Sequence, residues 1–168
     1  MENYIMFEGK KIPLTDEQIE MLKNARKPEE VKKNPFKRAS EDGEYYFIQY
    51  DGTVENDTEH HYTSDANCFS AANYCTDKEL MEQRALHETL NRLLWRFSME
   101  NGEVENKWGY EHSHWVIKYV HDSGAFCTSW TRFTQHIGSV YFSTDELAQR
   151  AIEEIIKPFM KEHPEFVL

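Results

Sequence analysis

The sequence predicts an α+β protein: two tandem ββ(β)α repeats, each an antiparallel sheet packed on helices, behind an N-terminal helical arm. Three observations predict it. "NYCTDKELMEQRA" (73–85) and "VYFSTDELAQRA" (140–151) are alike, with Tyr74 answering Tyr141, Thr76 answering Ser143, Glu79 answering Glu146 and Leu80 answering Leu147. Each follows β-prone runs with turn residues between them, and each opens a stretch of helical apolar spacing. The boundaries that result are 1–44 for the arm and linker, 45–101 for the first unit and 102–168 for the second.

The elements follow in order. "YIMFEGKKIPL" reads as a hairpin turning at Gly9. Thr15 and Gln18 have capping-box spacing, so a short helix starts there. Asp16 and Glu17 suit its positive end, and Ile19, Met21 and Leu22 supply its apolar face. "KPEEVKKNPFKRASEDG" is a polar linker that ends in a turn at Asp42-Gly43. Asp51-Gly52 between β-prone runs is a hairpin signal. "TEHHYTSDAN" is a polar excursion, and "CFSAANYC" reads as a third strand. Thr76 with Glu79 then caps a helix that Asn101-Gly102 stops. The second unit repeats the plan. A hairpin turns near Asp122–Gly124, "HIGSVYFS" is its third strand, and Ser143 with Glu146 caps the last helix. Pro158 should kink or close that helix.

Among the 168 residues, 39% are hydrophobic and 14% aromatic, which favours a packed core over disorder. The net charge of −11 repels nucleic acid in general and suits a basic partner. Most of the acidity falls in residues 45–111. Three cysteines without CxxC spacing read as reduced thiols of a cytosolic protein. The start lacks the pattern of a signal peptide, and no apolar run is long enough to span a membrane.

No constellation names a reaction. His112 and His114 would face one side of a strand, but no further ligand stands at a recognisable spacing, so no metal or other cofactor is expected. Nothing local activates Cys68 or Cys75 as a nucleophile, and Cys75, aligned with Phe142, reads as a core residue. No glycine-rich phosphate loop is present. No catalytic residue is therefore assigned. The candidate binding face is acidic: Asp51, Glu55, Asp57, Glu59 and Asp65 on the first hairpin and its following loop, with Glu100, Glu103 and Glu105 at the connector between the units. The alternative is a nucleic-acid or nucleotide binder. It would use strand aromatics such as Tyr45, Tyr46, Phe47, Tyr50, Trp115, Tyr119 and Trp130, with the basic segment 23–38.

"LTDEQIEML", "NPFKRASEDGEYYFI", "NYCTDKELMEQRA" and "VYFSTDELAQRAIEE" resemble a family of small proteins from phages and prophages of Firmicutes and other gut bacteria. The likeness runs from about residue 12 to 157, with Cys75 standing where the family pattern has an aromatic. It implies a phage context and carries no catalytic residues. Small acidic phage proteins of this kind resemble anti-CRISPR proteins. The expectation is therefore a non-enzymatic inhibitor in the cytoplasm of the bacterial host. It would bind a basic nucleic-acid-handling protein, such as a CRISPR effector nuclease, in place of nucleic acid. Direct nucleic-acid binding and membrane association are not expected.

Overall fold

A computed structural model describes residues 4–7, 9–25, 34–102, 108 and 111–168. It is α+β and divides into two compact units, residues 1–35 and 36–168.

The first unit is a hairpin and a helix. Strands β1 (Tyr4–Phe7) and β2 (Lys10–Pro13) pair antiparallel, with Tyr4 opposite Pro13 and Phe7 opposite Lys10. Gly9 turns between them at φ 76°, where a glycine carries no Cβ penalty. Helix α1 (Asp16–Ala25) opens on the expected box, with Gln18 N–H donating to Thr15 Oγ1 at 3.3 Å and Thr15 N–H donating to Gln18 Oε1 at 3.0 Å. Met21 is exposed, so it adds nothing to an apolar face there.

In the second unit, β3 (Glu44–Ile48) and β4 (Val54–Thr58) form an antiparallel hairpin with Ile48 opposite Val54. Gly52 sits in its turn at φ 94°. The expected third strand over 68–75 is corrected: Cys68, Phe69 and Ser70 end a helix, α2 (Thr63–Ser70). Only Cys75 pairs with β3, exchanging backbone hydrogen bonds with Tyr46. Two positions earlier the Asn73 amide takes the place of backbone. It accepts from Ile48 N–H and donates to Ile48 C=O, both at 2.8 Å. A side chain thus saturates the edge that a longer strand would have covered.

Helix α3 (Lys78–Asn101) then runs 24 residues, about 36 Å, past both halves of the unit. Its N-terminal half buries Met81 and Ala85 against Ile48 and Cys75. Its C-terminal half buries Leu90 and Phe97 against the second hairpin and the last helix. Gly102 ends it, as expected. Strands β5 (His114–Val120) and β6 (Ala125–Thr131) pair antiparallel, turning through Gly124 at φ 63°. The expected strand over 136–143 is again one bridge, here between Phe142 and Trp115.

Both cap assignments shift by one residue. Asp77, not Thr76, accepts from Leu80 N–H, and Thr144, not Ser143, accepts from Leu147 N–H. A side chain reaches the third helical N–H only from the residue next to the first turn, and that residue is the second polar one in each segment. Helix α4 (Asp145–Ala151) continues through a π-helical stretch (Ile152–Ile156) into α5 (Lys157–Glu162). Pro158 was expected to kink or close this helix. Instead the wider turn lies just before it, with Lys157 N–H reaching Ile152 C=O. A proline ring crowds the carbonyl four residues back, and widening that turn lets the helix go on.

The core joins these pieces. Ala148 and Ala151, both fully buried, let α4 approach Phe97 and Phe142 closely. Leu90, Ile152, Ile156 and Phe159 form the adjoining cluster. Phe166, beyond the last helix, packs into that cluster, where Gln83 pins the chain by accepting from Val167 N–H and donating to Glu165 C=O.

Candidate functional site

Strands alternate their side chains between faces. On β3, Tyr46 and Ile48 turn toward α3, while Tyr45 and Phe47 turn the other way. Cys75 and Tyr74 divide in the same manner. Tyr74 stacks on Tyr45 with ring centroids 4.1 Å apart and planes 12° from parallel, and Phe69 of α2 meets Tyr74 edge-on at 5.4 Å.

Beside these rings lie two buried carboxylates. Glu59 is wholly enclosed. Its Oε2 accepts from Arg38 Nε at 2.8 Å and from Tyr74 OH at 3.0 Å. Its Oε1 accepts from Arg38 Nη2 at 2.9 Å and from His61 N–H at 2.8 Å. The Arg38 guanidinium, with help from His61 N–H and Tyr74 OH, holds this carboxyl below its ordinary value although burial opposes the shift. Asp65 accepts from His60 N–H, Tyr62 N–H, Tyr45 OH and Ser64 OH. Burial alone would raise it, but those donors outweigh burial and hold it at about 2. Conversely, burial pushes Tyr74 up to about 12, and burial with the Asp65 carboxylate raises Tyr45.

This corrects two members of the expected acidic face. Glu59 and Asp65 are interior groups that staple the linker, the end of β4 and the start of α2 together. Tyr74, Tyr45 and Arg38 stand 15 to 21 residues from the carboxylates they donate to, and those partners were not legible locally. The remaining donors, His60 N–H, Tyr62 N–H, Ser64 OH and His61 N–H, are local, and Asp65 occupies the third helical position of α2, where it caps the helix start. Arg38 likewise leaves the expected basic segment. Lys37 is exposed, and residues 26–33 of that segment lie outside the described residues.

Asp51, Glu55 and Asp57 do lie exposed on the β3–β4 hairpin. Each is held by a neutral donor: Asp51 by Thr53 N–H and Oγ1, Glu55 by Gln49 Nε2 at 2.8 Å, and Asp57 by Thr58 N–H. The Thr53 backbone and hydroxyl keep Asp51 below its ordinary value. None of the three is ion-paired among the described residues. The helical acids Glu82, Glu88, Glu153 and Glu154, by contrast, each pair with a base four residues away. Glu100 is exposed near the end of α3, and Glu103 and Glu105 lie outside the described residues.

Around the second sheet the groups differ. His114 is largely buried and stacks on Trp108 at 4.0 Å, while Tyr141 meets Trp108 edge-on at 5.0 Å. A cleft of about 580 Å³ lies here, lined among others by His112, Trp95 and Met99 of α3, Glu111 and Gln135. The sequence singles out Tyr141 only as the repeat partner of Tyr74, and it does not single out Trp95 or Trp108. All three belong to separate segments, and only the fold gathers them. No group of three or more histidine, cysteine or acidic side chains able to hold a metal occurs among the described residues. Cys75 is buried, Cys127 is exposed, and burial raises the Cys68 thiol, which disfavours its thiolate.

The strand aromatics do not form one stacking face. Tyr45 is interior, Tyr50 is almost fully exposed, Trp115 packs against the second core, and Trp130 is exposed with the Arg132 guanidinium 5.3 Å above its ring. Among the described residues no helix is long and apolar enough to cross a membrane. Comparison with protein-family models, curated proteins and solved structures finds no match to this chain.

Proposed function

We propose that this chain is a non-enzymatic, phage-encoded binding protein that acts in the cytoplasm of its bacterial host. In this reading it inhibits a basic, nucleic-acid-handling defence effector by the logic of anti-CRISPR proteins. The observation that carries the reading is the exposed, uncompensated charge of Asp51, Glu55 and Asp57 on one hairpin. Acids oriented by neutral donors keep their full charge toward solvent, whereas acids paired within a helix do not. Such a surface steers a cationic partner and competes for a groove built for phosphates. Charges on β4, an edge strand, also discourage strand-to-strand aggregation.

The two hairpin–bridge–helix segments are read as a repeat. Cys75 and Phe142 occupy the same place in their sheets, and Asp77 and Thr144 cap their helices from matching positions. Duplication of a scaffold leaves one copy free to diverge, which suits the difference between the closed face of the first sheet and the cleft beside the second.

The test is affinity capture from host lysate with the native chain and with a Glu55→Lys/Asp57→Lys variant, each at low and at moderate salt. Recovery of one basic nuclease or polymerase by the native chain, lost in the variant and lost as salt rises, is the expected outcome. Equal recovery by both chains would place the contact elsewhere. Recovery of nucleic acid without protein would overturn the reading.

A further inference from the structure

We propose that the cleft beside Tyr141 receives a guanidinium group, presented as an arginine side chain of the partner. The inference rests on the binding function proposed above and names the chemistry of one contact.

Tyr74 and Tyr141 each precede the residue that bridges to its sheet, so each points to the opposite side of the chain from that residue. Around Tyr74 that face is filled: Tyr45 and Phe69 cover the ring, Glu59 accepts a hydrogen bond from the hydroxyl, and 2% of the residue is exposed. Between β6 and Phe142 the chain forms no helix, and nothing among the described residues plays the part of α2. The space beside Tyr141 remains open as the cleft.

Its lining selects the occupant. Trp95, Trp108 and Tyr141 offer aromatic surface, and Trp95 is 59% exposed although it sits on a helix whose other large side chains are mostly in the core. Among the described residues Glu111 is the one carboxylate in the lining, and neither lysine nor arginine lines it. No described cation pairs with Glu111. Arg132 donates to Ser113 Oγ at 3.0 Å, but its guanidinium lies over Trp130. An anionic ligand would be repelled by Glu111, and in the described lining only the imidazoles of His112 and His114 stand to offset that repulsion. A purely apolar ligand would desolvate Glu111 and Gln135 without pairing them, which is costly. A guanidinium satisfies both kinds of surface. Its flat face stacks on indole and phenol rings, and its edge donates to a carboxylate and an amide oxygen. A lysine ammonium is more strongly hydrated and lacks the planar face.

The test uses the four tryptophan indole N–H resonances of the ¹⁵N-labelled chain, titrated with N-acetyl-L-arginine amide and, as a neutral control, N-acetyl-L-norleucine amide. Expected is a saturable shift of the Trp95 and Trp108 signals with the arginine probe alone, while Trp115 and Trp130 stay in place. Glu111→Gln and Trp95→Ala change exposed side chains, and each should weaken the arginine probe about threefold or more. Glu55→Lys/Asp57→Lys should leave it unchanged. Equal shifts with the neutral probe, no shift with either, or unaltered binding in both cleft variants would overturn the inference. So would tighter binding of free arginine than of the amide, which assigns the cleft to a metabolite. Loss of capture in the hairpin variant with intact capture in the cleft variants would defeat this inference alone. Intact arginine binding with no partner captured would defeat the proposed function alone.

Discussion

Replacing Glu59 by glutamine tests the account of the interior most directly. The substitution keeps shape and volume. The carboxylate accepts from four donors, Arg38 Nε and Nη2, Tyr74 OH and His61 N–H, and the His61 ring Nδ1 lies 3.3 Å from Oε1. The amide oxygen of glutamine can serve two of them, but its NH₂ cannot accept from the others, so at least one charge-assisted bond from Arg38 is lost or weakened. Charge-assisted hydrogen bonds contribute about 1.5–3 kcal/mol each, and breaking a buried pair by removing one partner costs about 3–5 kcal/mol. Arg38 keeps 32% of its side chain exposed, so water recovers part of its loss and the lower end, about 3 kcal/mol, applies. With a urea slope of roughly 2 kcal/mol/M, the unfolding midpoint should fall by about 1.5 M. Adding Arg38→Gln to Glu59→Gln should cost little more, because the two groups act as one unit. A midpoint that moves by less than roughly 0.5 M, or a double variant whose loss is the sum of the singles, would refute the reasoning.

Three further outcomes follow from the same geometry. Asp65 titrates at about 2 in the folded chain, below its unfolded value, so the unfolded state binds more protons as pH falls. Its contribution is complete above about pH 4 and is lost toward pH 2; urea unfolding of Asp65→Asn should therefore change less between pH 5 and pH 2 than that of the native chain, and parallel pH profiles would exclude this role. Asp77→Ala and Thr144→Ala should each cost about 1 kcal/mol; thermal melts in which either variant melts with the native chain would reject that cap assignment. Gly52→Ala should cost about 1–2 kcal/mol, because φ 94° disfavours a Cβ and the added atom would meet Thr89 Oγ1 and Arg92 Nη2 at 3.0 Å. A melting temperature equal to that of the native chain would contradict that strain.

The expected α+β class, the hairpin turns at Gly9, Asp51-Gly52 and Asp122–Gly124, the Thr15 box and the stop at Gly102 were legible because each is local chemistry. A positive φ, a polar cap or a helical period acts over a few residues and leaves its mark in them. Helix α2 was not legible for a related reason. Its buried member is Asp65, so hydrophobic periodicity had nothing to detect. The third strands failed differently. β-prone composition near Cys75 and Phe142 is real, but only one residue of each segment pairs, and Asn73 finishes the first edge with its side chain.

The candidate face divides along the same line. Sequence alone determined that this chain is acidic, that most of its net acidity falls in residues 45–111, and that Asp51, Glu55 and Asp57 lie in or beside a tight turn where side chains reach solvent. Tertiary structure alone decided that Glu59 and Asp65, alike in charge and close by in sequence, turn inward. It alone drew Trp95, Trp108 and Tyr141 around one cleft. The physical reason is that a carboxylate goes inside only where enough donors converge to replace water, and convergence of distant segments is a property of the packed chain.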